Sequence, residues 1–232
     1  MTEAGFVTKT MWLAAKDLRI EMRARDTLAP MLGFAGAVAL VLAFALPEAA
    51  ADNAVVASVQ AGFMWVTVLF AGLIGFGRTF EVERAEGALD SLLLVPVDRS
   101  ALFVSKALSN LAFLVVLETV LLPLTALLFA FDLGGSWGAM VAVVALVDLG
   151  FVAVGTLYAA LAAQTRSREL LLPLLALPAL VPVFIAALEL TADLLLGAGF
   201  DALAARGWFG ILVAYDVVFV TAGAVLFEAV LD

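Results

Sequence analysis

The apolar run VVASVQAGFMWVTVLFAGLIGF, residues 55–76, is followed directly by the polar stretch GRTFEVERAEGALDSLLLVPVDRS, residues 77–100. The run carries no charged residue and is as long as a helix must be to cross a bilayer, about 20 residues. The stretch after it carries charges of both signs. This change of composition predicts a membrane-spanning helix that ends at a membrane surface.

Five more apolar runs occur along the chain, and each is long enough for a span. They cover residues 28–46, 102–131, 137–163, 170–196 and 208–230. The whole chain is 65% hydrophobic, against about 45–50% apolar residues in soluble domains. The sequence therefore predicts an all-α, polytopic membrane protein with six transmembrane helices.

The basic residues predict the orientation. Eleven of the twelve Lys and Arg residues fall in segments 1–27, 78–106 and 166–168, and only Arg206 lies elsewhere. Six spans place all three segments on one side, and basic segments beside spans normally face the cytoplasm. We expect a multi-pass protein of the plasma membrane with both termini in the cytoplasm.

Residues 1–27 lack the apolar core of a signal peptide and show helical periodicity instead. The predicted apolar stripe consists of Val7, Met11, Ala15, Leu18 and Met22. Basic residues occupy the other side, which favours a helix lying in the membrane interface. A disordered charged leader is the alternative. The predicted organisation is an interfacial helix, 1–27, and a six-helix transmembrane domain, 28–232, which includes the cytoplasmic segment 78–100.

Segment 78–100 shows the periodicity of a second, short amphipathic helix, which Pro96 ends. Its apolar face includes Leu89, Leu92 and Leu93. Such a face suits the groove of a soluble partner, and the cluster of leucines exceeds what an interfacial helix needs. A connector helix on the lipid surface is the alternative that periodicity alone leaves open.

Carboxylates lie within four of the predicted spans, namely Glu118, Asp148, Glu189 and Asp216. A charge at the centre of a span costs roughly 2.5–3.5 kcal/mol, so these groups should face protein or water, or be protonated. Two roles are open: hydrogen bonding between helices, or lining a polar path through the membrane. Residue counting places Glu189 and Asp216 in the outer half, where both could line one cavity.

Prolines interrupt two of the predicted spans, at Pro123 and at Pro173, Pro178 and Pro182. Each removes a backbone donor and favours a kink. A bent helix suits a moving part, although a static bend explains the same residues. Glycines in or beside the spans favour close helix contacts, although glycine is also common in membrane helices in general. They are Gly33, Gly36, Gly72, Gly75, Gly77, Gly150 and Gly155.

The residues that are missing restrict the chemistry. The chain has no cysteine and no histidine, so it offers no thiolate, disulfide or imidazole ligand. No G-x-x-x-x-G-K-[ST] motif occurs, so the usual phosphate loop for ATP is absent from the sequence. The net charge of −9 does not favour binding of nucleic acid, which needs a concentrated basic face. We expect no metal site and no catalytic site.

One motif in the polar segment 78–100 is specific enough to compare with a known protein family. The pattern E-R-x-x-G-x-x-x-x-L-L-x-x-P is formed by Glu83, Arg84, Gly87, Leu92, Leu93 and Pro96. It resembles the cytoplasmic helix of the CcmB family, the permease subunits of the cytochrome c maturation ABC transporter. Three other stretches resemble that family in the right order: KDLRIEMRARD (16–26), LLLPLLALPALVPV (170–183) and AYDVVFVTAGAVLFEAVLD (214–232).

The resemblance implies a non-catalytic membrane subunit that works with a separate CcmA-like ATPase and a CcmC-like haem-binding subunit. It implies that the complex handles haem and ATP while this chain binds neither directly. The residues expected to contact the ATPase are Glu83, Arg84, Gly87, Leu89, Leu92, Leu93 and Pro96. Two other functions stay open on sequence grounds: an ABC-2-type exporter permease for a lipid or drug, and a proton-coupled secondary transporter.

Overall fold

The computed structural model describes residues 5–45, 53–81, 99–129, 133–165 and 168–230. All regular elements in these ranges are α-helices. We number them in chain order: α1 Phe6–Ala24, α2 Leu28–Ala45, α3 Asn53–Arg78, α4 Arg99–Phe129, α5 Trp137–Ala163, α6 Arg168–Leu195, α7 Phe200–Ala205 and α8 Gly207–Val230.

Six of these helices, α2 to α6 and α8, are long and apolar enough to cross a bilayer. They coincide with the six predicted runs to within a few residues at each end. The prediction of an all-α protein with six membrane-spanning helices is confirmed, and the chain is a multi-pass membrane protein.

Helix α5 forms the centre of the bundle. It packs against α4, α6 and α8. In its most apolar stretch of 18 residues, 67% of the residues are buried, against 17% in the corresponding stretches of α2 and α8. Helix α3 packs against α2, α4 and α6 on the other side of the core. Two long-range hydrogen bonds tie α3 to its neighbours: Trp65 Nε1 donates to Thr191 Oγ1 at 2.9 Å, and Gln60 Nε2 donates to the Phe129 carbonyl at 3.0 Å.

Close helix contacts occur at four of the predicted glycines. A methyl group added at Gly72 would overlap the Phe151 ring, and one at Gly155 would overlap the Phe76 ring. These two rings meet edge to face with centroids 4.8 Å apart, so α3 and α5 interlock through a reciprocal pair of glycine and phenylalanine. Gly75 and Gly150 are likewise closely packed, by Met31 and by Tyr215 with Asp216.

At Gly33 and Gly36 the prediction of close packing is wrong, because nothing lies within 4 Å of a side-chain carbon added there. Gly77 is in ordinary van der Waals contact, since a carbon added there lies 3.8 Å from Leu172. Gly33 and Gly36 lie in α2, most of whose surface is exposed. Few helices pack against the peripheral helix α2, so its glycines have no close neighbour, whereas several helices pack against α3 and α5.

The two ends of the bundle differ in charge. At one end, which we call the basic end, α3 finishes at Arg78, α4 begins at Arg99 and α6 begins at Arg168. The opposite end carries α7 and the connection between α4 and α5. There Arg206 pairs with Asp193 at 2.8 Å, and the Ser136 hydroxyl contacts the Ala198 carbonyl.

Helix α1 lies at the basic end and packs along α4. Its buried residues are Thr10, Ala14 and Glu21, with Asp17 between them on the same face. The predicted stripe is largely on another face, since Val7 and Met22 are each 71% exposed. The amphipathic helix was therefore predicted correctly, but its polar, small-residue face docks on the bundle and its apolar face stays outside.

The prolines do not divide their helices. Helix α4 is continuous through Pro123, and α6 is continuous through its three prolines. The Tyr215 hydroxyl of α8 donates to the Ala179 carbonyl at 2.8 Å, which ties α8 to the proline-rich part of α6. The kinks expected at Pro123, Pro173, Pro178 and Pro182, and their part in any movement, stay a prediction.

Candidate functional site

The predicted ATPase-contact residues, from Glu83 to Pro96, lie outside the described residues. The structure does describe what flanks them. Helix α3 ends at Arg78 and the chain is described as far as Glu81, and α4 begins at Arg99. Arg78 Nε and Glu81 Oε2 are 4.0 Å apart on the protein surface. The candidate site is therefore the part of the basic end to which the segment is attached.

A buried ion pair joins α1 to the start of α4 at this end. Lys106 Nζ is 3.0 Å from Asp17 Oδ2, and the two side chains are only 5% and 13% exposed. The same ammonium lies 5.4 Å from the centre of the Phe80 ring, within the range of a cation–π contact. Lys106 thus touches both α1 and the described start of segment 78–100.

A chain of hydrogen bonds leads from the same place into the bundle. Thr79 Oγ1 donates to Asn110 Oδ1 of α4 at 3.0 Å, and Asn110 Nδ2 donates to Thr156 Oγ1 of α5 at 3.0 Å. Asn110 is 3% exposed and Thr156 is fully buried. Because buried polar groups are costly to leave unpaired, these bonds fix the three helices relative to one another.

Glu21 fixes the junction between α1 and α2. Its Oε1 accepts hydrogen bonds from the backbone N–H of Thr27 at 2.9 Å and of Leu28 at 2.7 Å. Leu28 is the first residue of α2, where backbone N–H groups lack partners within the helix and a negative charge is favoured. The carboxylate therefore holds the end of α1 against the start of the first span.

Sequence reasoning missed this group of contacts. Asp17, Glu21, Lys106 and Asn110 were assigned only to polar segments or to a span, without roles. One signal was present, because the helical spacing from Asp17 to Glu21 places both carboxylates on one face of α1. Their partners, Lys106 on α4 and the start of α2, are set by tertiary packing.

In the middle of the bundle, Glu118 of α4 and Asp148 of α5 are neighbours across the contact between the two helices. The two residues are 3% and 1% exposed. Both oxygens of Glu118 and Oδ1 of Asp148 lack a donor. Two carboxyl groups can form a hydrogen bond only when one of them carries a proton, so one shared proton would satisfy this pair.

The other two intramembrane carboxylates lie elsewhere. Asp216 is 4% exposed and packs on Gly150, so it contacts α5 on a different side from Asp148. Neither of its oxygens has a donor. Glu189 is half-buried near the end of α6. Neither residue lines the two cavities at the basic end, and a common cavity for the pair stays a prediction.

Comparison with known proteins adds what the geometry leaves open. Residues 8–232 match the family described as "CcmB protein". The chain is also similar to "Heme exporter protein B" of Rhodobacter capsulatus, with 32% identity over 181 residues, which covers 77% of this chain and 80% of that protein. The match includes α1, all six spans and the polar segment between α3 and α4, so the chain belongs to the CcmB family.

Proposed function

We propose that this chain is the membrane-spanning permease subunit of an ABC-type exporter that serves haem delivery in cytochrome c maturation. The observation that carries the proposal is the family match over residues 8–232. The name of the Rhodobacter capsulatus relative supports the assignment to haem export. The six-helix bundle is the architecture that such a subunit needs.

In this proposal the energy comes from a separate, CcmA-like ATPase. The chain has no phosphate-loop motif of its own. The ATPase contacts the segment 78–100, chiefly through Leu89, Leu92 and Leu93. Since an ATPase acts on the cytoplasmic side, the basic end faces the cytoplasm, in agreement with the distribution of Lys and Arg.

The contacts at the basic end supply a route for the movement. Thr79 and Phe80 are near the start of segment 78–100, and both contact α4, through Asn110 and Lys106. Asn110 continues the contact to Thr156 in the central helix α5. A displacement of the segment is passed in this way to α4 and α5, and through Asp17 to α1.

Haem itself is held by another subunit of the complex, of the CcmC type. The sequence has no histidine and no cysteine, the commonest axial ligands of haem iron besides methionine and tyrosine. The intramembrane carboxyls are poor partners for haem propionates, because both are anionic. Haem and ATP are therefore handled by the assembly and not bound directly by this chain.

We further propose that Glu118 and Asp148 act as an interhelical bond. The shared proton lets two acidic side chains stay buried without a cation. The runner-up role, a proton path of a secondary transporter, is favoured by the same buried pair. Reconstitution of this chain into vesicles distinguishes the two roles. Proton-driven transport by this chain alone, without an ATPase, would support the runner-up.

The coupling proposal is tested by co-purification with the ATPase. The double substitution Leu92→Asp with Leu93→Asp puts two charges on the apolar face and should release the ATPase while the spans stay folded. Leu196→Asp is the control, because it makes the same change at a half-exposed leucine of the opposite end. Undiminished co-purification of the double variant would contradict the proposed contact.

A further inference from the structure

A cavity of about 450 Å³ lies at the basic end, between α2, α3, α5 and α6. We call it the basic-end cavity. Its wall is mostly apolar, and includes Phe34, Ile74, Ala163 and Leu172. Its size is within the range of sites that bind small organic ligands, roughly 300–1,000 Å³. A space of this size and chemistry suits an apolar group.

The cavity reaches the lipid-facing surface of the bundle. Phe70, in its wall, is 42% exposed, and Gly77 is exposed as well. On a membrane-spanning helix an exposed side chain faces acyl chains. An apolar space disfavours water, and an empty one forfeits dispersion contacts along its wall. Acyl chains of the surrounding lipid can fill the cavity and make dispersion contacts with its apolar wall.

The mouth of the cavity carries two opposite charges. Arg78 and Glu81 are both in its lining, and their side chains are each 40% exposed. Their charged atoms are 4.0 Å apart, which leaves guanidinium donors for an outside acceptor. Arginine suits phosphate oxygens, and a carboxylate has several acceptor positions for an ammonium group. The mouth therefore matches a head group with one charge of each sign.

We propose that the basic-end cavity binds one acyl chain of a zwitterionic phospholipid such as phosphatidylethanolamine. The phosphate contacts Arg78 and the head-group ammonium contacts Glu81. Haem, another amphiphile with acidic groups, fits less well. Its iron would find no His, Cys, Met or Tyr among the described wall residues. Binding of a lipid in this cavity does not require coupling to an ATPase.

Retention of lipid by the purified full-length chain provides the test. The protein is extracted from vesicles containing equal amounts of phosphatidylethanolamine and phosphatidylglycerol, and bound lipid is counted by native mass spectrometry. We expect one tightly held phosphatidylethanolamine. Gly77→Leu fills the cavity, since an added side-chain carbon there is 3.8 Å from Leu172, and should lower retention at least about tenfold. Gly33→Leu, on an open surface of α2, should leave it unchanged.

The head-group contact has its own variants. Arg78→Gln should weaken retention of phosphatidylethanolamine about tenfold, the loss expected for one charge-assisted contact. The matched control is Arg19→Gln, on an exposed position of α1. Equal retention of phosphatidylglycerol and phosphatidylethanolamine by the unaltered protein would overturn the assignment of the head group.

A second measurement does not depend on how well the variants fold. Phosphatidylethanolamine with a photoreactive group on its acyl chain is added to the unaltered protein, and the cross-linked peptides are sequenced. Cross-links concentrated at Leu73, Ile74 and Ala163 support the proposal. An even spread over lipid-facing positions such as Val41 and Phe44 would overturn it, and so would displacement of the lipid by haem.

Discussion

Glu118 and Asp148 depend on each other at the contact between α4 and α5. Three of their four carboxyl oxygens have no donor, and both side chains are buried. In the proposed interhelical bond the pair carries one proton and a single negative charge. An amide in place of one carboxyl keeps both the charge and the hydrogen bond, because its N–H₂ donates to the remaining carboxylate.

Glu118→Gln should therefore leave the midpoint of thermal unfolding in detergent nearly unchanged. Glu118→Leu leaves Asp148 without a donor and should cost about 1–3 kcal/mol. Infrared spectra should show a protonated carboxyl band that is lost in Glu118→Gln. Fully ionised carboxylates in the unaltered protein at neutral pH would contradict the shared proton.

Gly155 offers a second test at the scale of single residues. A methyl group there overlaps the ring of Phe76, which is 2% exposed and enclosed by the core. Gly155→Ala should destabilise the bundle by about 1–3 kcal/mol, as overpacking does. Gly33→Ala has open space and should be neutral or slightly stabilising. Equal thermal midpoints for the two variants would show that α3 and α5 are not interlocked.

The sequence predicted close contacts at seven glycines, and four of them have such contacts. Gly223, which packs against Phe103, was not among them, whereas Gly33 and Gly36 were predicted and have no close neighbour. The sequence shows where the small residues are, but not what lies opposite each of them. Whether another helix lies opposite depends on the arrangement of the bundle, which periodicity within one helix does not report. The same limit hid the pairing of Glu118 with Asp148.

At the scale of helices, α1 illustrates how far periodicity reaches. Its existence and approximate length follow from the spacing of Val7, Met11 and Met22 and of the basic residues. Its docking face does not, because the pattern of apolar residues identifies the side that meets lipid. The side that meets α4 is marked by Thr10, Ala14, Asp17 and Glu21, a set that looks like an ordinary polar face.

Two lysines contact Asp17, and they should differ in importance. Lys106 is buried on α4, whereas the side chain of Lys16, 3.2 Å from the same carboxylate, is 42% exposed. Removing one member of a buried pair is costly, so Lys106→Met should destabilise the protein by about 3 kcal/mol. Lys16→Met should cost less than about 1 kcal/mol, because exposed pairs contribute little.

Thermal unfolding and limited proteolysis of α1 provide the comparison between the two lysine variants. In Lys106→Met the protease should cut within α1 before the bundle unfolds, since that variant loses the contact with α4. If both variants behave alike, α1 is held by its apolar and small residues and not by the ion pair.

At the scale of the whole molecule, the six spans and their order followed from composition and length, because lipid imposes both on any spanning helix. The polarity of the bundle followed from eleven basic residues in three segments. The same asymmetry appears in the structure as the basic end, where α1 and the attachment points of segment 82–98 come together. The asymmetry predicts that the basic end faces the cytoplasm, and chemical labelling can test this orientation.

The chain has no cysteine, so a single introduced thiol reports its own position without a background. Thr165→Cys places it in the turn after α5 at the basic end, and Gly199→Cys places it just before α7 at the opposite end. With the basic end in the cytoplasm, a membrane-impermeant maleimide should label only Gly199→Cys in intact cells. Both should react after permeabilisation, which confirms that each thiol is accessible. Labelling of Thr165→Cys from outside would show that the bundle has the opposite orientation. A cytoplasmic ATPase would then have no access to the segment between α3 and α4.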